Sequence, residues 1–415
     1  MDLNLVAWII LAALIVDAAV NTAADVLNLR RAETRLPRDF EGFFDADRYG
    51  LSLEYARVNT RFKWIATAFS LLAFLAFWFL GGFAVLDAWV RGIADGVVVR
   101  GIVFIGVLAF AKAVLALPFS VYATFVIESR FGFNKTTPAV FAADLVKKFL
   151  LALVIGGALI SGILAFFVYA GGLAWLYCWV AMVLFMLVMQ LVVPTWIMPL
   201  FNRFEPLAPG PLKSAILDYA QKIRFPVKNI YVMDGSRRSG KANAFFAGFG
   251  RHRKIVLYDT LVDNHTVDEL VAVLAHEMGH YKKRHIPWML AAAAAQAGLL
   301  FYLLSIFISS PMLAEAFFLD DVSVYAGLVF FVILYSPIDM VISLFFQAFS
   351  RKNEYAADCF AVKTTGAPGA LKTALKKLAS HNLANLHPHW LYVLLNYSHP
   401  PILDRLAAID QCGGG

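Results

Sequence analysis

Charge is scarce in this chain. Only 16% of its 415 residues are Asp, Glu, Lys or Arg, while 60% are apolar; soluble domains carry roughly 25% charged residues. A soluble globular fold is thereby excluded, and a polytopic membrane protein is implied. Cysteine is scarcer still. Cys178, Cys359 and Cys412 stand far apart and form no CxxC pair, which argues against a disulfide framework or a thiolate zinc finger and suits a reducing compartment. Internal repeats and low-complexity tracts are lacking too. The formal net charge of +7 is spread over loops between apolar segments, as membrane proteins place it. The expected partner is therefore a lipid bilayer and not nucleic acid.

What the chain has in quantity is apolar length. Runs of roughly 20 apolar residues can cross a bilayer as helices, and seven are found, at about 4–27, 64–88, 101–125, 147–170, 172–195, 287–309 and 323–347. The first lacks a basic leading region and a clear A-x-A exit, so it reads as a retained span and not a cleaved signal. Basic residues then set the orientation. They crowd the loop after the first span (Arg30, Arg31, Arg35, Arg38, Arg48, Arg57, Arg61, Lys63) and recur after the third (Arg130, Lys135, Lys147, Lys148). The loop after the second has only Arg91 and Arg100, and those after the fourth and sixth have none. This alternation places the N-terminus outside and the odd-numbered loops and the C-terminus in the cytoplasm. Asp17, Lys112 and Asp339 lie within spans and are expected to face the bundle or a wet cavity.

The expected organisation is residues 1–197 as spans one to five with their loops, 198–285 as a cytoplasmic segment, 286–348 as spans six and seven, and 349–415 as a second cytoplasmic segment. The first polar segment reads as a small α/β unit. "APGPLKSAILDYAQKIRF" is an amphipathic helix, and "NIYVMD", "ANAFFAGF" and "KIVLYD" are short β-rich runs between Gly- and Arg-rich turns. Thr266 or Asp268 then starts a helix. The second polar segment looks helical from about 349 to 379, with shorter pieces near 390 and 400–410.

The chemistry sits in "LAHEMGHYKKRH", residues 274–285. Residues four apart on a helix share a face, so His276 and His280 can aim imidazole nitrogens at one ion, with Glu277 beside it as general base. That is the physical content of H-E-x-x-H in a zinc protease. His265 and His285 lack the helical spacing to share the ion and read as surface or interface residues. A third ligand is required. In "SRKNEYAADCFAV", Glu354 and Asp358 are again four apart, so Glu354 can complete a two-His, one-Glu site while Asp358 accepts the spare N–H of a ligating histidine. Cys359 points off that face and reads as a small core residue. Spans six and seven would form the hairpin that brings both motifs together at the bilayer surface, where a membrane-borne substrate arrives.

Beyond this pair of motifs the chain resembles the type I CAAX prenyl proteases, integral-membrane zinc metalloproteases. The likeness covers nearly the whole chain. It is carried by "FVIESRFGFNKTTPAVFAADLVKK" (125–148), "SRRSGKANAFFAGFG" (236–250), the two metal motifs and "HPHWLYVLLNYSHPPILDRLAAI" (387–409). The resemblance implies seven long helices enclosing a chamber and capped by a small zincin-like α/β domain on the cytoplasmic side. It implies one zinc ion per chain in a gluzincin-type H-E-x-x-H…E site, and hydrolysis after the prenylated cysteine of a C-a-a-X tail. Asn243, with Ala244 beside it, looks like the edge-strand position that binds substrate backbone, as in strand addition. His399 matches a histidine that stabilises the oxyanion, and Arg405 an arginine that braces the site. The implied partner is a peptide or protein at the membrane, lipidated or not.

The tail "AAIDQCGGG" lacks a basic retrieval signal. With the alanine-rich spans, this points to a bacterial inner membrane. A quality-control protease of the HtpX type is the nearest rival, but such chains are shorter and have fewer spans. A site-2-type protease would carry H-E-x-x-H within a span, where "HEMGHYKKRH" is too charged to lie. A transporter or silent scaffold is the alternative from outside the enzymes, and the intact metal set argues against silence.

Overall fold

The structure, a computed structural model, describes residues 3–32, 35–227, 229–247 and 254–413. Among these, seven helices are long and apolar enough to cross a membrane: Leu5–Arg31, Ala46–Phe79, Val97–Glu128, Pro138–Tyr169, Gly171–Phe201, His285–Phe307 and Val324–Thr365. They correspond to the seven apolar runs, but two differ from expectation in ways that matter. The second run is cut at Leu80–Gly81, where Gly81 adopts φ +74°, a left-handed turn that glycine tolerates without a Cβ penalty. A separate amphipathic helix, Gly82–Ile93, follows, so residues 82–88 do not belong to the span. The span's other end instead reaches back through polar sequence to Ala46, where the Asp45 carboxylate caps the Arg48 N–H at 2.6 Å.

The seventh span likewise does not stop at the edge of its apolar run. It continues unbroken to Thr365 and ends at Gly366, φ +72°, so Glu354 and Asp358 ride on the span helix itself. The expected helix over 349–379 is two helices, the second being Pro368–His381. Hydropathy marks which residues face lipid; it says little about where helical hydrogen bonding ends.

In spans two to five only 6% of the most apolar window is buried within the protein. A solid bundle would bury a stripe of each helix; these helices form a wall. At one end the wall is closed by a dense aromatic cluster in which Trp78, Phe317 and Phe330 stack and Phe83 meets Phe330 edge to face. Trp78 Nε1 donates to the Ala316 carbonyl at 2.8 Å there. Of the intramembrane charges, Asp339 accepts from Gln296 Nε2 at 2.9 Å, joining spans six and seven. Asp17 pairs with Asn21 on its own helix at 3.0 Å. Lys112 is exposed.

The polar segments after spans one, three, five and seven meet at the other end, as a strict alternation of loops requires. Phe40, Phe44 and Tyr49 pack on Leu386 and Leu406, and Phe131 and Phe133 pack on Leu383. At their centre is a four-stranded sheet of β1 (Phe204–Pro206), β2 (Asn229–Met233), β3 (Ala244–Ala247) and β4 (Lys254–Tyr258), in the order β1-β2-β4-β3. β2 and β4 run parallel, with Ile230 beside Ile255; β1 and β3 pair antiparallel on either flank. β1, three residues long and proline-terminated, was not legible as a strand. The last two residues of the "ANAFFAGF" run, 248 and 249, lie outside the described residues. Helix Val267–Lys282 packs its Leu270, Leu274 and Met278 against Ala244, Ile255 and Leu257 of the sheet. Thr266 starts this helix with a reciprocal capping box to Glu269, which satisfies two otherwise orphaned N–H groups.

Candidate metal centre and peptide-binding edge

Helix Val267–Lys282 crosses the extension of span seven at very short range. A Cβ built on Gly279 would stand 3.1 Å from Ala357 Cα and 3.2 Å from both its carbonyl oxygen and Phe360 Cδ1. Backbone atoms cannot yield as a side-chain tip can, so a hydrogen at this position is what lets the two helices approach. Gly279→Ala is therefore expected to separate them, costing about 1–3 kcal/mol of stability and lowering metal content. Thermal unfolding and elemental analysis would read the two effects.

The approach brings His276, His280 and Glu354 together, each offering one donor atom within 4.8 Å of the others. His276 Nε2 lies 3.4 Å from Glu354 Oε2, His280 Nε2 lies 3.2 Å from Glu354 Oε1, and the two Nε2 atoms are 3.2 Å apart. Behind His276, Asp358 Oδ1 is 2.7 Å from Nδ1. Arg405 grips the same carboxylate with both arms, Nε to Oδ2 at 2.8 Å and Nη2 to Oδ1 at 2.7 Å, the geometry in which a guanidinium is strongest. A proton held at Nδ1 by Asp358 leaves the Nε2 lone pair facing Glu354.

These residues fit a divalent cation. Three lone-pair donors of the N, N, O type favoured by zinc converge in a nearly dry place. Burial pushes the His276 imidazolium down, yet hydrogen bonds to Asp358 and Glu354 overcome this and hold its pKa up at about 9. The surroundings thus draw a positive charge to this spot. Glu277 projects beside the donors, and burial pushes its carboxyl above the ordinary range against the opposing pull of His276 and His280. His399 is exposed on the open side, its Nδ1 2.8 Å from Glu354 Oε2.

A cavity of about 1450 Å³ opens in front of Glu277 and His280 and reaches down between spans five, six and seven. Phe185, Met186, Met189, Met289 and Phe346 give it a mainly apolar wall. Phe245 of β3 also lines it, so the sheet edge borders the donor set. The Asn243 carbonyl accepts from Tyr258 N–H at 3.1 Å. By the alternation of an antiparallel ladder, Ala244 and Phe246 then turn their backbone groups toward the opposite side, where no further strand pairs among the described residues. Asn243 Oδ1 occupies the Ala244 N–H at 2.9 Å. The Ala244 side chain is itself buried in the core, so only its backbone is available to a peptide.

The start of this edge is pinned from three directions. Lys241 Nζ reaches Tyr55 Oη at 2.9 Å and Glu128 Oε2 at 3.0 Å. The Asn382 side chain brackets both backbone groups of Ala242, and Thr260 Oγ1 donates to the Lys241 carbonyl at 3.0 Å. None of these residues was singled out in advance: Glu128, Lys241 and Ala242 fall in blocks noted above, whereas Tyr55, Thr260 and Asn382 fall in none. One expectation is narrowed and another corrected. Of the surface or interface position expected for His285, only a packed position fits: it is 8% exposed, with Nδ1 3.0 Å from His280 Nδ1. Cys359 and Cys412 are joined as a disulfide across 53 residues, with Cα atoms 5.4 Å apart. Spacing along the chain does not report distance between helices, so a pair without a CxxC signature was invisible. The bond ties the span-seven extension to helix Ile402–Gly413, which carries Arg405. His389 caps helix Trp390–Asn396, a structural use of the "HPH" run, and His265 Nδ1 lies 3.0 Å from the Leu261 carbonyl.

A multi-helix wall, a sheet edge and a His-His-Glu donor set at the head of a cavity define an integral-membrane peptidase of the metallopeptidase class. Two family models divide the chain between them: "CAAX prenyl protease N-terminal, five membrane helices" matches residues 25–203, and "Peptidase family M48" matches residues 206–412. The chain belongs to the CAAX prenyl protease family. It is 41% identical over 308 residues to CAAX prenyl protease 1 homolog of Arabidopsis thaliana, covering 74% of this chain and 72% of that protein. To CAAX prenyl protease 1 of Saccharomyces cerevisiae it is 32% identical over 407 residues, covering 91% and 89%. The crystal structure of S. mikatae Ste24p superposes with a TM-score of 0.93 at 30% identity, covering 99% of this chain and all of that one. These relatives are eukaryotic, and they lend no support to the bacterial inner membrane expected from the alanine-rich spans.

Proposed function

We propose that the chain is a zinc endopeptidase that cleaves peptides presented at the membrane surface, with the C-terminal tail of a prenylated C-a-a-X protein as its substrate class. The observation that carries this is the meeting of His276, His280 and Glu354 within 4.8 Å at the mouth of an apolar cavity. His276, His280 and Glu354 would hold the zinc, the histidines with the nitrogens that face Glu354. When bound, the ion acidifies water and polarises the scissile carbonyl. Asp358 fixes the His276 tautomer, and Arg405 keeps Asp358 ionised and in place.

The peptide adds to β3 as a further strand, exchanging backbone hydrogen bonds with Ala244 once Asn243 Oδ1 turns from the Ala244 N–H to the substrate. Glu277 takes a proton from the attacking water and passes it to the leaving amine, a task suited to a carboxyl whose proton affinity burial has raised. His399 donates to the oxygen on which negative charge develops. The cavity's aromatic and methionine wall receives apolar substrate groups, with methionine adapting to irregular shapes. Following the distribution of Lys and Arg, the site and the C-terminus lie on the cytoplasmic side and the N-terminus lies outside.

The test compares cleavage of a farnesylated C-a-a-X peptide with that of its unmodified twin and of a misfolded membrane protein. Preference for the lipidated peptide is the expected result. Equal rates on the peptide pair, with efficient cleavage of the misfolded protein, would replace the proposal with quality-control proteolysis.

A further inference from the structure

We infer that His285 is a positioning residue of the metal site: it orients His280 by accepting the proton on its Nδ1. The inference rests on the zinc reading above. On one continuous helix a residue five positions after His280 would project well away from it. The chain removes this obstacle by breaking. Helix Val267–Lys282 closes with Lys283 N–H to the Gly279 carbonyl and Arg284 N–H to the Tyr281 carbonyl, both at 2.9 Å. Arg284 then adopts φ +58°, ψ +33°, a left-handed conformation that non-glycine residues rarely take and that recurs at functional sites. A new helix begins at His285, and this first residue folds back against the ring of His280.

The two rings meet edge to face at 74°, with centroids 5.1 Å apart and Nδ1 atoms 3.0 Å apart. A ligating His280 must keep the lone pair of Nε2 free, because Nε2 is the atom 3.2 Å from both His276 Nε2 and Glu354 Oε1. Its proton is then on Nδ1, and a hydrogen bond between two Nδ1 atoms has room for only one proton. His285 Nδ1 is therefore the acceptor, and its own proton sits on Nε2. Since His285 meets His280 at the nitrogen turned away from the donor set, it cannot share the ion as a fourth ligand. An imidazole thus stands where a carboxylate or carbonyl usually supports a zinc-bound histidine. The two ligating histidines are held unequally: His276 by an ionised carboxylate braced by Arg405, His280 by a neutral acceptor. A carboxylate at 285 would add a negative charge next to Glu354 and Glu277, which the neutral ring avoids.

The test uses the full-length protein in detergent and reads zinc retained against increasing chelator, by elemental analysis, for the parent, H285L, H285Q and H285N. The oxygen of an Asn side chain falls near the position of imidazole Nδ1, whereas Gln places its amide near Nε2. Expected is a drop of about 10-fold in the chelator concentration that strips half the zinc for H285L and H285Q, with H285N close to the parent. Unfolding temperatures of the metal-free proteins should agree, which a merely structural role would not allow. Zinc retention in H285L equal to the parent, or H285N as weak as H285L, would overturn the inference alone. A parent that binds no zinc would instead overturn the metal reading beneath it.

Discussion

Glu277→Gln is expected to leave zinc in place and to lower peptide hydrolysis by about 10²–10⁴-fold, the range that a positioned acid or base contributes. The substitution keeps shape and hydrogen-bonding capacity but removes the ability to accept a proton at neutral pH. Glu277 is not one of the three converging donors, so metal content should not change. It lines the cavity beside His280, so the lost step belongs to a group that a bound peptide reaches. Elemental analysis together with turnover of a fluorogenic C-a-a-X peptide separates the two quantities. Turnover near the parent's rate in a zinc-loaded variant would remove Glu277 from the mechanism.

Glu354→Ala should produce the opposite pattern, with zinc and activity lost together. Removing a group that only supports a ligand costs about 10–100-fold in metal affinity, and deleting a ligand should exceed that. The environment enlarges the effect: Glu354 is 3% exposed and stands between His276, His280 and His399. Its removal leaves three imidazoles without the carboxylate that holds a cation among them. Zinc content measured after dialysis is the readout, and added zinc should restore activity only in part. Unchanged content would reassign the third donor. Read together, the two variants distinguish a residue that moves a proton from one that holds the ion.

How far the site could be read in advance differs residue by residue. His276, Glu277 and His280 were legible because their relation is local: one turn of helix fixes it whatever the rest of the chain does. Glu354 and Asp358 were legible for the same reason, as a second pair with the same spacing. Arg405 and His399 came only through the family resemblance, because the last helix carries no periodic signal linking it to residue 358. The contact of His285 with His280 was not legible, because residues five apart point away from each other on a continuous helix, and the break at Arg284 arises from a left-handed residue that is not glycine. Lys241 and Gly279 were passed over. A lysine before a strand and a glycine inside a motif mean little until Tyr55, Glu128 and Ala357 are seen beside them.

By itself the sequence determined the number of spans, the alternation of the loops and the chemistry available at each motif. These depend on composition and on contacts within a few residues, where hydropathy and helical spacing act directly. Only the tertiary structure decided where the second span ends, that the seventh runs on to carry Glu354 and Asp358, that Cys359 meets Cys412, and which groups stand behind each histidine. Those outcomes are set by how helices distant in the chain pack. Such packing depends on the close fit of many side chains at once, and no window of sequence contains it.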